Sequence, residues 1–433
     1  MARLSVQALD ARGHGVARDA GGKVVFVEGA LAGETVEAEV LRGKRNFDLA
    51  RATTVLTASS GRRAPPCPWF GACGGCITQH ADLRTQVAAK QRWLEDCLER
   101  IGRVEVGSVL APIYGEEWGY RRRARLSVRH VEGKGAYVGF RERHSTRVAD
   151  MRSCEVLPPG VSALIPRLRA LVASLSIRER VPQIEVAAGE EATALVFRHL
   201  LPLAEADKDL LRAFVLETGM HVWLQPLGPD SAHPLHPVGS SLSYGLPEFG
   251  VGIGFGPTDF TQVNFGVNRL LVSRAVRLLD PRPGERVGDL YCGLGNFSLP
   301  LAARGAQVIG FEASAGLVER ARANAAANGL VAQFEPADLS RPNLEPWGPF
   351  DKLLLDPPRE GAIELVKSLP EAWPRRIVYV SCDPATLARD AGVLVHVKGF
   401  RLEAAGVVNM FPHTAHVESI ALFERAPGRR RPC

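Results

Sequence analysis

Asp289-Leu-Tyr-Cys-Gly-Leu-Gly-Asn-Phe297 is the stretch of the sequence that decides the fold. Gly293 and Gly295 let the backbone turn tightly and approach a ligand. Apolar runs around this turn predict five strands, at 286–290, 307–311, 332–335, 351–355 and 376–381. Helical periodicity predicts the segments between them, at 297–304, 314–328, 361–369 and 384–394. This alternation predicts a Rossmann-like α/β domain with a parallel sheet and helices on both faces.

Carboxylates at the ends of the predicted strands indicate a nucleotide site. Glu312 ends the second strand, where a carboxylate can accept hydrogen bonds from both ribose hydroxyls. Asp356 ends the fourth strand and should point at the ligand, and Asp338 ends the third and could reach an adenine. The alternatives are a helix N-cap for Asp356 and an ordinary loop carboxylate for Asp338. A dehydrogenase fingerprint has a third glycine where this chain has Ser298, so the pattern favours S-adenosylmethionine over NAD.

Cys382 and Glu418 are the candidate catalytic groups. Cys382 stands where the fifth strand stops and Asp383-Pro384 open a helix, whose N-terminus stabilises a thiolate. It is therefore a candidate nucleophile, with a buried structural cysteine as the alternative. Two strands without a helix between them, at 400–408 and 416–424, predict an antiparallel hairpin at the sheet edge. Glu418 follows a Pro/His-rich stretch within it and is a candidate general base, a role that His413 or His416 could otherwise fill.

The N-terminal half has a different pattern. Residues 1–57 contain five short apolar or alternating segments punctuated by glycines, which predicts a small β-barrel of the OB type. A linker at 58–66, a helix at 83–101 and an α+β domain over 104–258 are predicted to follow. Residues 1–150 carry 24 Lys and Arg against 17 Asp and Glu, although the net charge of the whole chain is only +6. This asymmetry indicates either a polyanion partner or an ordinary solvated surface.

The chain has eight cysteines, of which four form a candidate metal site. Cys67, Cys73 and Cys76 lie in a glycine-rich segment, and Cys154 is the available fourth ligand. Four thiolates suit zinc or an iron–sulfur cluster, and the spacing does not choose between them. The remaining cysteines, Cys97, Cys292 and Cys433, have no assigned role.

Four motifs of the C-terminal half together resemble those of the RNA uracil-5-methyltransferases. These motifs are Asp289–Phe297, Asp356–Arg359, Ser381–Asp390 and Phe411–Ser419. Over nearly its whole length the chain is similar to the bacterial 23S ribosomal RNA (uracil-5-)-methyltransferases that have a TRAM domain and an iron–sulfur cluster. The resemblance implies three domains: TRAM at 1–57, an iron–sulfur and central α+β domain at 58–258, and a methyltransferase domain at 259–433. It also implies that the helix at 83–101 packs on the catalytic domain.

The resemblance also implies roles for individual residues. Cys382 would add to the uracil ring, Glu418 would remove the proton, and Phe260 would stack on RNA bases near an extruded uridine. The four cysteines would hold a 4Fe–4S cluster rather than zinc. The methyl donor, S-adenosylmethionine, would be surrounded by Gln262, Tyr291, Asn296, Glu312, Asp338 and Asp356.

Other function classes fit the sequence less well. No apolar run reaches the ~18 residues of a membrane span, and the first residues lack the apolar stretch of a signal peptide, so we expect a cytoplasmic protein. We also expect a monomer. The alternative enzyme is a transfer RNA uracil-5-methyltransferase, because the catalytic motifs do not separate the two substrates. The barrel and the cysteines favour 23S ribosomal RNA. A non-catalytic RNA-binding assembly factor is disfavoured because Cys382, Glu418 and Glu312 are all present.

Overall fold

A computed structural model describes residues 2–425, the side chain of Glu345 excepted. The last part of the expected methyltransferase domain, including Cys433, lies outside the described residues. Within the described part of the chain, no helix is both long enough and apolar enough to cross a membrane.

Residues 2–57 form one six-stranded sheet around a small core. Its strands are β1 (Ala2–Ser5), β2 (Ala8–Leu9), β3 (Gly15–Arg18), β4 (Val24–Glu28), β5 (Thr35–Gly43) and β6 (Phe47–Thr57), in the order β1-β5-β6-β4-β3-β2. Alternate residues point inward, as Val25 and Val27 do in β4. The sequence predicts five strands, and the sixth is the two-residue β2. Buried Glu34 accepts hydrogen bonds from the Arg62 guanidinium, which ties the barrel to the linker that follows it.

The middle of the chain is an α+β layer, as predicted. Its elements are α1 (Leu83–Cys97), β7 (Ser108–Val109), β8 (Arg123–Val131), β9 (Gly135–Gly139), α2 (Pro159–Ser162), α3 (Ile165–Ser174), β10 (Gln183–Ala188), β11 (Thr193–Arg198), α4 (Glu205–Thr218), β12 (His221–Gln225), β13 (His233–His236), β14 (Leu242–Leu246) and β15 (Val251–Phe255). Six strands form a sheet in the order β13-β12-β11-β10-β8-β9. Its apolar face shares a core with α3 and α4. The hairpin β14–β15 instead packs in the core of the catalytic domain, with Tyr244 and Phe255 against Phe265.

The C-terminal domain has the predicted alternation. Its elements are α5 (Phe265–Leu279), β16 (Arg286–Leu290), α6 (Ser298–Ala303), β17 (Gln307–Glu312), α7 (Ala315–Ala327), β18 (Gln333–Pro336), β19 (Lys352–Leu355), α8 (Ile363–Ser368), β20 (Arg376–Ser381), α9 (Pro384–His396), β21 (Phe400–Val408) and β22 (Glu418–Arg425). Every predicted strand and helix of this domain lies within two residues of an observed one. Strands β16 to β20 are parallel. All of them except the outermost strand, β18, are largely buried, because helices cover both faces of the sheet.

The predicted antiparallel hairpin is present near the end of this sheet, but a strand that the sequence does not predict lies outside it. The strand order is β18-β17-β16-β19-β20-β22-β21-β7, so β22 pairs with β20 and separates it from β21. The edge itself is β7, which comes from the middle of the chain and runs parallel to β21. A two-residue strand has too little periodicity to be seen in a sequence. Because β22 lies beside β20, residues at the start of β22 are brought near the end of β20.

Helix α1 packs on the catalytic domain, although it is distant from that domain in sequence. Asp82 caps its N-terminus by accepting a hydrogen bond from the Thr85 N–H at 2.7 Å. Leu94 and Cys97 share a core with Leu387 and Ala388 of α9. The chain then continues through a wide helical turn at Leu98–Gly102 toward β7. The helix thereby contacts α9 and β21 of the catalytic domain.

Candidate active site

A cavity opens at the carboxyl ends of the parallel strands. Its volume is about 690 Å³, within the usual range for small-molecule sites. It is lined by all nine residues that the sequence predicts for catalysis, for the methyl donor and for the RNA bases: Phe260, Gln262, Tyr291, Asn296, Glu312, Asp338, Asp356, Cys382 and Glu418. The structure therefore brings these predicted residues together, although they come from seven separate segments of the chain.

The glycine turn after β16 forms one wall of the cavity. Gly293 and Gly295 have φ angles of 53° and 89°, which only glycine adopts at low cost. The Gly293 N–H donates to Glu312 Oε2 at 3.3 Å, so the turn and the carboxylate that ends β17 face each other. This is the arrangement expected for a site that holds a ribose on a carboxylate.

Asn296 is oriented by two residues that the sequence does not reveal. Its side-chain oxygen accepts hydrogen bonds from Tyr244 Oη and Asn268 Nδ2, both at 2.9 Å. Its Nδ2 donates to Asn268 Oδ1 at 3.0 Å. Asn268 is fully buried in α5, and a polar residue on the apolar face of a helix is the one signal that could have identified it.

Ser298 has a specific role at the position where a dinucleotide fingerprint has glycine. Its Oγ donates to Asp289 Oδ2 at 2.5 Å in the buried start of the turn. Burial raises the pKa of Asp289 to about 7, an effect that this hydrogen bond opposes. The hydrogen bond from Ser298 thus offsets part of the cost of burying the Asp289 carboxyl. The two residues are nine positions apart, and the motif alone does not indicate that they interact.

Cys382 lies at the end of β20, on the side of the cavity away from the glycine turn. Burial raises the pKa of its thiol to about 11, and the neighbouring Glu418 and Asp356 add to this effect, while Arg359 opposes it. The helix N-terminus expected to stabilise a thiolate here is capped by Asp383, whose Oδ1 accepts hydrogen bonds from the N–H groups of Ala385 and Thr386 at 2.8 and 3.3 Å. Stabilisation of the Cys382 thiolate by this helix stays a prediction.

Glu418 is the first residue of β22 and is only 5% exposed. Burial raises the pKa of its carboxyl to about 8; Asp356 also raises it and Lys90 lowers it. Its Oε2 has no hydrogen-bond partner among the described residues. A buried carboxyl with a near-neutral pKa beside a thiol has the properties required of a general base.

The segment 409–417, which leads to Glu418, is held by residues from the middle of the chain. His413 is fully buried, stacks on Trp118 with ring centroids 4.0 Å apart, and receives a hydrogen bond from Gln86 Nε2 at 3.1 Å. Its carbonyl accepts from Ile77 N and Thr78 N at 2.8 and 3.2 Å. Burial lowers the pKa of His413 to about 4, and the residue does not line the cavity. His413 is therefore a structural residue and not a candidate base.

His416 differs from His413 because it does line the cavity. Its Nδ1 lies 3.3 Å from Arg359 Nη2. Burial and the nearby Arg359 lower its pKa. The imidazole stays neutral and faces the mouth of the cavity, while Glu418 lies deeper.

The four cysteines predicted to bind a metal line one small cavity. Cys67, Cys73, Cys76 and Cys154 share it with apolar side chains such as Phe140. Among residues 2–425, no group of three or more His, Cys, Asp or Glu side chains is close enough together to hold a metal ion. Burial raises the pKa values of Cys76 and Cys154 to about 11 and about 12. The donor set of four thiols nevertheless suits an iron–sulfur cluster or zinc.

Two family models match the chain. The model described as tRNA (Uracil-5-)-methyltransferase matches residues 255–345 and 337–426. These ranges include every residue that lines the catalytic cavity except Tyr244. The model described as TRAM domain matches residues 2–53, the six-stranded barrel.

Curated relatives resemble the chain over nearly its full length. A 23S rRNA (uracil(1939)-C(5))-methyltransferase RlmD of Thiobacillus denitrificans is 60% identical, covering 98% of this chain and 99% of that protein. The protein of the same name from Azoarcus sp. is 58% identical, covering 97% and 99%.

A solved structure also matches along the whole chain. It is the Pyrococcus abyssi tRNA (uracil-54, C5)-methyltransferase in complex with S-adenosyl-L-homocysteine, with a TM-score of 0.74 and 26% identity. The match covers 97% of this chain and 100% of that one.

Proposed function

This chain belongs to the family of RNA (uracil-5-)-methyltransferases, and we propose that it methylates carbon 5 of a uridine in 23S ribosomal RNA, at the position that its relatives' names give as uracil 1939. The methyl donor is S-adenosylmethionine. The observation that carries the proposal is that the candidate nucleophile, the candidate base and the six candidate donor-binding residues line one cavity.

The donor would occupy the half of the cavity formed by the glycine turn. Glu312 is available for the ribose, Asp338 lies at the adenine end, and Asn296 is fixed by Tyr244 and Asn268. S-adenosylmethionine supplies an electrophilic methyl group on a positively charged sulfur. Asp356 lies between this half of the cavity and the half that contains Cys382 and Glu418. The uracil would bind in the second half, between Cys382 and Glu418.

Cys382 would activate the uracil. Carbon 5 of uracil is a poor nucleophile, and a bond from the Cys382 sulfur to carbon 6 converts the ring to an enolate that is nucleophilic at carbon 5. The thiol would first lose its proton to solvent, and the Arg359 guanidinium favours this because its charge opposes the rise in the pKa of Cys382. Carbon 5 would then attack the methyl carbon of S-adenosylmethionine, the bond from that carbon to sulfur would break, and S-adenosylhomocysteine would leave.

Glu418 would complete the reaction. Its carboxylate removes the proton that remains on carbon 5, the electrons of that C–H bond restore the double bond between carbons 5 and 6, and the carbon–sulfur bond to Cys382 breaks. The neighbouring positions of Cys382 and Glu418 at the adjacent strands β20 and β22 support this pairing.

The uridine must leave its stack to reach these groups. Phe260 lines the mouth of the cavity and is 69% exposed, which is unusual for a large aromatic side chain. We propose that it stacks on bases next to the extruded uridine. The TRAM barrel would add contacts to the RNA backbone.

We also propose that Cys67, Cys73, Cys76 and Cys154 hold a 4Fe–4S cluster. The support is their common cavity and its apolar surroundings, which suit such a cluster. Ile77 and Thr78, directly after Cys76, donate hydrogen bonds to the carbonyl of His413. A cluster that orders this segment would therefore also order the loop that leads to the base.

We also propose that the protein acts in the cytoplasm as a monomer, which remains a prediction.

Transfer RNA is the second candidate substrate, because the structural relative from Pyrococcus abyssi acts on tRNA by its title. The deciding experiment offers unmodified 23S ribosomal RNA and unmodified transfer RNA separately, with methyl-labelled S-adenosylmethionine. We expect 5-methyluridine in the ribosomal RNA. Label in transfer RNA alone would establish the second candidate, and label in neither would contradict both.

A further inference from the structure

Lys90 of α1 is buried outside the catalytic cavity, next to the segment that leads to Glu418. Its side chain is 6% exposed, and its Nζ donates to Asn409 Oδ1 and to the Phe411 carbonyl, both at 2.8 Å. Both acceptors belong to the segment that leads to Glu418. A helix more than 300 residues away in sequence thus contacts this segment. Val408, which precedes Asn409, is paired with Glu418 across β21 and β22, so the ammonium group lies near the start of the strand that carries the candidate base.

We propose that Lys90 is a positioning residue for methyl transfer, which fixes the segment 409–417 and favours the ionised, proton-accepting form of Glu418. This rests on the proposed role of Glu418 as the base. Lys90 does not line the substrate cavity, so it would act through Glu418 and not on the uracil.

The burial of Lys90 supports a role for its charge. A buried ammonium is costly unless an anion compensates it. Burial lowers the pKa of Lys90 to about 7. Its two hydrogen-bond acceptors are neutral, and Glu418 is the carboxylate that opposes this lowering. If the site needed only packing, an uncharged side chain would serve better.

The charges around Glu418 otherwise oppose its ionisation. Asp356 approaches from the end of β19 and raises the pKa of Glu418, and Cys382 faces it from the end of β20. His413 and His416, on the loop itself, have lowered pKa values and are neutral near pH 7. Lys90 is the group that lowers the pKa of Glu418. Without it, the base would be protonated over a wider pH range.

The test compares rates of methyl transfer in a single turnover across the range from about pH 6 to about pH 9.5, on either side of neutrality. In Lys90→Met and Lys90→Gln the acid limb of the profile should move to higher pH, because the base is protonated more readily. The rate near neutral pH should fall about ten-fold for every pH unit by which the limb moves, and it should recover at high pH. Gln retains a hydrogen-bond donor without the charge. A Lys90→Gln profile identical to that of the wild type would overturn the proposal, because the charge would then be irrelevant.

Control variants distinguish failure of the role proposed for Lys90 from failure of the proposed methyltransferase function. Lys367→Met makes the same substitution at an exposed lysine of the catalytic domain and should leave the profile unchanged. In the Glu418→Gln background, Lys90→Met should cause no further loss. If the wild type methylates no RNA, the proposed function fails; if it does, but the Lys90 variants keep the wild-type profile, only the role of Lys90 fails.

A second measurement does not depend on the folding of Lys90 variants. The chain has eight lysines, so ¹³Cε-labelled lysine should give a resonance that titrates near pH 7 in the wild type, because burial lowers the pKa of Lys90 to about 7. Glu418→Gln removes the compensating anion and should move this titration to lower pH. An unchanged titration would mean that the two groups are not coupled, and the proposal would be wrong.

Discussion

Tyr291 illustrates how a cavity residue can be fixed by its backbone. It has a φ of 69°, in the left-handed region that is unfavourable for side chains larger than glycine. Its N–H donates to the Phe311 carbonyl at 2.9 Å, and its ring packs against the core. The phenolic oxygen lies 3.5 Å from the Leu339 carbonyl, which is long for a hydrogen bond. The aromatic ring is therefore the part of the side chain that matters.

From this we predict that Tyr291→Phe binds S-adenosylmethionine with nearly wild-type affinity, measured by calorimetry. Asn296→Ala is the contrasting variant, because it removes a fixed side-chain amide from the donor half of the cavity, and a hydrogen bond to a charged group contributes about 1.5–3 kcal/mol. It should weaken binding by about ten-fold or more. Equal losses in both variants would show that the tyrosine hydroxyl contributes directly.

At the scale of elements, the segment 67–78 is tied to the loop before Glu418, and we predict that it carries a cluster. Protein purified without oxygen should be brown and contain about four irons per chain. Cys154→Ala should lose most of the iron and the colour, whereas Cys97→Ala should retain both, because Cys97 is buried against α9. A colourless anaerobic preparation with one zinc would contradict the assignment.

The elements of the catalytic domain are predictable because each has a strong local pattern. The apolar runs and helical periodicities of 286–396 locate every strand and helix to within two residues. The glycine turn, the strand-end carboxylates and Cys382 could be placed for the same reason, since they directly follow these elements.

Contacts between distant segments could not be predicted. Lys90 appears in the sequence as one charged residue of an amphipathic helix, and nothing nearby indicates that it contacts Asn409 and Phe411. The raised pKa of Cys382 also depends on burial and on Glu418, which the strand order brings near. Electrostatic properties of the site therefore require the tertiary structure.

At the scale of the whole molecule, the barrel and the cysteine segment meet in a cleft. Arg12 of the barrel and Arg141, near the cysteine cavity, line it, together with Gly74 and Gly75. Both arginines are exposed. Arg143 lines the cleft as well, against the two carboxylates Glu28 and Glu142, which leaves a small positive excess. Such a cleft between two domains is suited to the phosphates of an RNA strand, and it lies in the half of the chain with the positive excess.

We predict that Arg12→Ala and Arg141→Ala each weaken binding of 23S ribosomal RNA and reduce the slope of log affinity against log salt by about one. Affinity for S-adenosylmethionine should not change, because neither residue lines the catalytic cavity. Arg212→Ala, on α4 of the central domain, is the matched control. Salt slopes that stay at the wild-type value would exclude this cleft from the RNA path.

The central claim is that Cys382 attacks the uracil and Glu418 releases the product, and a trapped adduct tests it most directly. Removing a general base costs about 10²–10⁴ in rate, so Glu418→Gln should accumulate a covalent complex with the methylated RNA. Incubated with 23S ribosomal RNA and S-adenosylmethionine, this variant should give a shifted band on a denaturing gel. The double variant with Cys382→Ala should give none. A shifted band that persists without Cys382 would show that another residue is the nucleophile, and would contradict the account.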